Sequence, residues 1–253
     1  MMSVPKLRFE RIQKFRFHRS LRGHVETTEV LRDIELEFAA GERVAVAGPA
    51  GAGKTTLLRL TCRLEEPNGG MIFLDDRDVR TVAVRELRRR VGLVFQNHVL
   101  FGESVEDNVC YGLRVRGHSR EAAREAASPV LERLGLDHSF FDRKNTSLNA
   151  GQVSRVVLAR TLVLEPEVLL LDEPAAHLDP ATAADLFAVI EGLATEASPT
   201  VLCATTRLEE ARMFARRIIL LVEGEVVADL PADEFLAGAV PDKARRFLNA
   251  SGY

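Results

Sequence analysis

The stretch Gly48-Pro49-Ala50-Gly51-Ala52-Gly53-Lys54-Thr55-Thr56 constrains this chain more than any other. It matches the G-x-x-x-x-G-K-[ST] phosphate loop at every fixed position, a pattern that carries meaning only between a strand and a helix. Val44, Ala45, Val46 and Ala47 form the short apolar run expected of a buried parallel strand. After the loop, Leu57, Leu58, Leu60, Thr61 and Leu64 recur at helical spacing, with no Pro or Gly from Lys54 to Glu66. Glycines let such a loop wrap close to phosphate oxygens, with backbone N–H groups turned inward and the positive end of the helix dipole behind them. Lys54 then reaches the β- and γ-phosphates, and Thr55 offers its hydroxyl to Mg²⁺. The ligand is a nucleoside triphosphate, and the loop alone is silent on what its energy drives.

The rest of the chain predicts the frame around the loop. Phe9, Phe15 and Phe17, then Ile34, Leu36 and Phe38, keep period-two spacing and read as strands, with a polar loop between them from Arg19 to Thr28. Pro67-Asn68-Gly69-Gly70 is a turn, Met71 to Leu74 a short strand, Val84 to Arg90 a basic helix, and Val91 to Phe95 a strand ending at Gln96. From 97 to 165 no strand signal occurs. Ser119 to Leu134 and Gly151 to Leu164 read as helices, the first kinked or broken at Pro129. Strands return at Val168 to Leu171, Thr200 to Ala204 and Arg217 to Val222, alternating with helices, as a parallel sheet covered on both faces requires.

A chain of 253 residues suffices for one large α/β domain with an insertion, and a net charge of −3 argues against a nucleic-acid binder working through a basic field. No apolar run reaches bilayer-spanning length. Cys62, Cys110 and Cys203 lack ligand spacing and read as buried, reduced thiols.

A second nucleotide-handling element is Val168-Leu169-Leu170-Leu171-Asp172-Glu173-Pro174. A buried strand ending in carboxylates places them at the sheet edge where parallel α/β folds bind ligands. Asp172 is the candidate Mg²⁺ residue and Glu173 the candidate general base for an attacking water.

With these motifs in order, the chain resembles the ATP-binding cassette family over nearly its whole length, specifically the separate ATPase subunit of a membrane transporter, of importer type. The loop glutamine is Gln96, the signature region Leu148-Asn149-Ala150-Gly151-Gln152, and Ala175-Ala176-His177-Leu178-Asp179 stands where the family has its D-loop. The fold class so implied is α/β: a P-loop NTPase (RecA-like) core with an N-terminal antiparallel β subdomain and an inserted α-helical subdomain. The expected single domain covers 1–253, with 1–96 and 166–253 as core and 97–165 as the helical signature subdomain.

The resemblance implies ATP sandwiched between one phosphate loop and the partner cassette's Asn149, Ala150, Gly151 and Gln152, with hydrolysis driving solute movement through separate membrane-spanning permease subunits. It also implies a cassette that is peripheral on the cytoplasmic face of the cell membrane, with a solute-binding protein as a further partner. Gln96 would stand between Mg²⁺ and the permease-facing surface, where Val99-Leu100-Phe101 and Val105 to Val109 match the docking region. An aromatic on the first strand, Phe17 or Phe15, would stack on adenine.

Two departures matter for mechanism. The signature carries Asn149 and Ala150 where Ser and Gly are usual, so Ala150 adds a Cβ at the phosphate sandwich. The γ-phosphate histidine position is Thr206, a hydroxyl without charge and with shorter reach. Loss of one transition-state donor costs roughly a hundredfold or more in rate. The expectation is normal ATP binding with slow hydrolysis, and the alternative is a regulatory cassette that clamps a dimer with little turnover. His177 and Arg207 are the nearest alternative cations, each read as a solvated loop residue.

Overall fold

Strands rich in Val, Leu, Ile and Ala, apolar on both faces, can be satisfied only inside a layered sheet. The computed structural model, which describes residues 4–19, 25–192 and 199–251, forms this sheet from six strands. They are β3 (Arg43–Ala47), β6 (Val91–Val94), β7 (Val168–Asp172), β8 (Thr200–Thr205), β9 (Arg217–Val222) and β10 (Glu225–Pro231). The order is β10-β9-β3-β8-β7-β6. All pairs are parallel except β9–β10, which turns through Glu223-Gly224. Register is set by apolar side chains meeting across the sheet, Val46 beside Ala204 and Ile219, and Leu170 beside Leu202.

The second sheet is antiparallel, in the order β2-β1-β4-β5, from β1 (Leu7–Arg19), β2 (Val25–Phe38), β4 (Gly69–Leu74) and β5 (Arg77–Asp78). Alternation buries Leu7, Phe9, Ile12, Ile34, Leu36 and Phe38 against one face of the central sheet, together with α1 (Lys54–Thr61) and Leu87 of α2 (Val84–Arg90). Past Gln13, β1 pairs only with β2, so the far end of the pair is a two-stranded ribbon.

The opposite face carries helices. No strand of either sheet lies between β6 and β7; that stretch holds α3 (Val105–Val109), α4 (Tyr111–Val115), α5 (Arg120–Arg133) and α6 (Ala150–Leu162). Their apolar residues join one continuous core with Ala45, Leu169, Leu171 and Cys203 of the sheet and Phe187 of α7 (Pro180–Gly192). The chain finishes with α8 (Leu208–Phe214), α9 (Ala232–Leu236) and α10 (Asp242–Ser251). The three cysteines are buried thiols. Among the described residues, no helix is long and apolar enough to cross a membrane.

Three local expectations change. The polar loop expected from Arg19 to Thr28 is strand at both its described ends, where Arg19 pairs with Val25, and Thr27 and Thr28 with Phe17 and Arg16; residues 20–24 of it lie outside the described residues. Pro129 neither ends nor splits α5. Its ring removes one helical hydrogen bond, but Ala127 and Leu131 on either side are fully buried and hold the helix through the defect. Finally, Val105 and Val109 are buried inside α3 rather than presented for docking; the exposed large apolar residues of that region are Val99, Phe101, Tyr111 and Val115.

Candidate functional site

The parallel sheet aims the C-terminal ends of β3, β6, β7 and β8 at the same side, the edge where such sheets bind ligands. The phosphate loop follows β3. Gly48, Gly51 and Gly53 all take positive φ, at 153°, 80° and 105°. The first and last are needed for space as well. A Cβ on Gly48 would lie 2.0 Å from the Leu221 carbonyl oxygen, and one on Gly53 would lie 2.7 Å from that of Val30. The Gly224 amide donates to the Ala52 carbonyl at 3.1 Å, pinning the loop to the β9–β10 turn. No side chain caps α1 at Gly53, so its N-terminal dipole faces the loop directly.

Lys54 is 4% exposed. Its ammonium donates to the Gly48 and Pro49 carbonyls at 2.8 and 2.9 Å and lies 3.7 Å from a Glu173 oxygen. Burial lowers its pKa, and the charges of Glu173 and Asp172 work against that shift. The Thr55 hydroxyl donates to Asp172 Oδ1 at 2.9 Å. Burial pushes the Asp172 carboxyl up, opposed by that hydrogen bond. Gln96 Nε2 donates to Glu173 Oε2 at 3.1 Å.

Thr55, Gln96 and Asp172 line one side of a cavity of about 300 Å³. A hydroxyl, an amide oxygen and a carboxylate are the hard donors that suit Mg²⁺, which keeps part of its water shell. Lys54, Thr55, Gln96, Asp172 and Glu173 thus form one cluster drawn from three strand ends.

Glu173 sits at φ 46° and its amide donates to the Ala204 carbonyl at 2.9 Å. Thr206, half-buried, is two residues beyond Ala204, just past β8. Its neighbours are well anchored. Thr205 hydrogen-bonds the buried carboxylate of Glu210, whose pKa burial raises. Arg207 donates to the Ala175 carbonyl at 2.8 Å and pairs with Glu210. Arg207 is therefore an internal strut between the turn after Glu173 and the segment after β8, a contact that no sequence pattern announces. His177 is exposed beside a second cavity of about 300 Å³, which Gln96, His98, Ala150 and Ser154 also line.

The signature residues open α6. Asn149 is its N-cap: Oδ1 accepts from the Gln152 amide at 2.9 Å, while Gln152 Oε1 accepts from the Asn149 amide at 3.1 Å. This capping box commits both acceptor oxygens and leaves the Asn149 Nδ2 group as a donor. Ala150 is exposed, and Gly151 packs so closely on α7 that a Cβ would lie 2.6 Å from Thr182 Cγ2. Among the described residues, no hydrogen bond or ion pair joins Asn149–Gln152 to Gly48–Thr56 of the same chain.

On β1, Phe17 is 64% exposed and Phe15 partly buried. Both lie on the ribbon face opposite Arg16, whose guanidinium donates to the Thr56 hydroxyl at 3.1 Å. The side chain that β1 sends to the phosphate loop is thus Arg16, which the sequence reading passed over. Strict alternation between Phe15 and Phe17 was the available signal.

Phe95, Val99, Phe101, Tyr111 and Val115, between the end of β6 and the end of α4, are exposed large apolar side chains. Phe101 and Tyr111 meet edge to face at 4.8 Å. A neighbouring groove of about 350 Å³ includes Leu64, Arg88, Arg89, Phe95 and Leu164.

The chain matches the family model described as ABC transporter over residues 31–176. It is 39% identical to ABC transporter I family member 17 of Arabidopsis thaliana, across 94% of this chain and 89% of that protein. It is 38% identical to the phosphate import ATP-binding protein PstB 2 of Natronomonas pharaonis, across 88% and 82%. Among solved structures, it superposes on cbiO1 of Clostridium perfringens, part of the transporter complex cbiONQ, with a TM-score of 0.82 at 27% identity, covering 98% and 96%. A dimeric cassette in a post-hydrolysis state with ADP and Pi gives a TM-score of 0.78 at 28% identity, over 89% and 98%.

Proposed function

The chain belongs to the ABC transporter family, and from that premise we propose how its residues divide the work of an ATP-binding, ATP-hydrolysing transporter subunit. One observation carries the proposal. Lys54, Thr55, Gln96, Asp172 and Glu173 are linked through contacts of 2.9–3.7 Å at the ends of three strands.

The loop amides, with Lys54, hold the phosphates. Thr55, Asp172 and Gln96 would hold Mg²⁺, which when bound neutralises charge on the β- and γ-phosphates. Glu173 orients a water for attack and accepts its proton, held for that role by the Gln96 amide and by the Ala204 carbonyl behind it. Thr206 presents a hydroxyl towards the γ-phosphate.

Asn149 Nδ2 and the first amides of α6 supply the other half of the sandwich to a second cassette, identical or related. That no hydrogen bond or ion pair among the described residues joins the two halves within one chain supports a site completed by that second copy. The division into core (1–96 and 166–253) and helical subdomain (97–165) belongs to the same proposal.

The exposed apolar residues between Phe95 and Val115, with Phe95 also lining the groove at Leu64 and Arg88, support docking of membrane-spanning permease subunits at the cytoplasmic face of a cell membrane. Importer subunits among the relatives, such as PstB 2, favour solute uptake with a solute-binding protein as a further partner.

The test is Mg²⁺-ATP hydrolysis by the full chain, with Glu173→Gln beside it. The expected variant binds ATP as the wild type does and loses turnover by roughly a hundredfold or more. Unchanged turnover in that variant would remove Glu173 from the mechanism. A second reading, a cassette that clamps with little turnover, draws on Thr206 and Ala150; wild-type protein that binds Mg²⁺-ATP but hydrolyses it no faster than the protein-free background would select it.

A further inference from the structure

We propose that Arg16 receives the base of the nucleotide, its guanidinium stacking on the ring in the place that Phe15 or Phe17 was expected to fill. The inference rests on the reading of Gly48–Thr56 as the triphosphate site. Between Phe15 and Arg19 the β1–β2 pairing is regular, so successive side chains alternate between faces of the ribbon. Arg16 points to the loop, with Nη2 3.1 Å from Thr56 Oγ1; Phe15 and Phe17 share the other face.

Direction along the loop then identifies what Arg16 meets. Lys54 serves the β- and γ-phosphates and Thr55 the metal, while loop amides hold the α- and β-phosphates. Thr56 is the next residue away from the γ end, so a nucleotide leaving the loop passes Thr56 with its α-phosphate and then its sugar and base. The residue covering Thr56 is at the base end.

Arg16 is built for this. Glu65 lies 3.7 Å from Nη2 but also pairs with Lys14 at 3.6 Å and Arg59 at 3.4 Å, so one carboxylate shared among three cations leaves the Arg16 charge only partly compensated. Its side chain nevertheless stays 44% exposed, so the interactions on the protein do not cover it. A planar, weakly hydrated cation stacks on π systems, and this one also places positive charge near an α-phosphate.

The experiment is a binding titration of the purified full chain with ADP and, separately, with inorganic tripolyphosphate, for Arg16→Ala, Arg16→Tyr, Phe17→Ala and Lys54→Ala. Arg16→Ala is expected to weaken ADP about tenfold and tripolyphosphate less than about twofold, and Arg16→Tyr to restore ADP to within about threefold. Three outcomes overturn the proposal: ADP affinity unchanged in Arg16→Ala, a larger loss in Phe17→Ala than in Arg16→Ala, or equal losses for ADP and tripolyphosphate. The last would make Arg16 a phosphate ligand only. Lys54→Ala separates the premise from the proposal. It should lose both ligands, and retention of both would refute the triphosphate site itself.

Discussion

Replacing Thr206 with histidine tests the chemistry of the site most directly. The position is half-buried, two residues beyond the Ala204 carbonyl that holds the Glu173 amide. A threonine hydroxyl ends one bond from Cβ, whereas an imidazole carries its donor about a ring's width further. The surroundings favour that donor: Glu173 lies on the neighbouring strand end and Glu210 is bound to the adjacent Thr205.

A single transition-state donor is worth about 3–4 kcal/mol when fully engaged. The native hydroxyl already supplies part of that, so a net gain of about 1.5–3 kcal/mol is expected, or roughly 10- to 100-fold in kcat. Affinity for ATP rests on the loop and Lys54 and should stay within about threefold, because the gain arises only in the transition state. Steady-state and single-turnover hydrolysis, with ATP affinity measured separately, give the split. A kcat within twofold of wild type, while Glu173→Gln is inactive, would refute the reasoning. It would mean that the Thr206 position does not face the reacting phosphate.

Other perturbations follow from the same geometry. Gly48→Ala forces a Cβ onto the Leu221 carbonyl at a φ of 153°, and should cost about 3 kcal/mol or more, read as a fall in Tm and loss of ATP binding. Pro129→Ala restores an N–H inside α5, whose two flanking core residues are already packed. It should stabilise by about 1–2 kcal/mol, since the helix propensity gain of about 3 exceeds the lost chain stiffness of about 1, with Tm as the readout. Arg90, with Lys6, holds the Glu167 carboxyl at about 2, against an ordinary 4.5. The folded pKa is depressed, so this stabilisation is complete above pH 4.5 and disappears as pH falls towards 2. Glu167 is 41% exposed, so solvent limits its worth to about 1 kcal/mol. Glu167→Gln should lower stability at pH 7 and flatten the acid limb of a urea-denaturation series, and an unchanged limb would contradict the assignment.

Elements whose physics is local were legible. The strand at β3, the loop glycines, α2 and β7 follow from apolar runs, turns and one fixed motif, and their bounds fall within a residue or two. What escaped depends on partners distant in sequence. Alternation sets Arg16 on the face opposite Phe15 and Phe17, but what it meets there, Thr56, is forty residues on and shows only in the fold. Arg207 reads as a loop cation until Ala175 and Glu210 are brought beside it. Pro129 reads as a breaker because propensity counts the missing hydrogen bond and not the burial of Ala127 and Leu131. Burial of Val105 and Val109 was likewise hidden, since an apolar residue after a glutamine loop fits a docking surface and a core equally well.

The departures at Asn149, Ala150 and Thr206 stand within a frame that retains its costly features. Glu173 holds a left-handed conformation at φ 46°, worth on the order of 1–2 kcal/mol of strain for a residue with a Cβ. Lys54 is buried with a lowered pKa, and Asp172 is buried with a raised one. Burying two charged groups and straining a third residue work against folding, so their presence together at one strand edge favours a role in binding and chemistry. The supports are equally specific: Ala204 holds the Glu173 amide, and Arg207 ties the following turn to Glu210. A cassette that only clamped nucleotide would need Lys54 and the loop, but it would have no use for a strained carboxylate aligned by a glutamine. On the proposed division of roles, Thr206 tunes the rate of the site and Glu173 is the residue whose loss should abolish turnover.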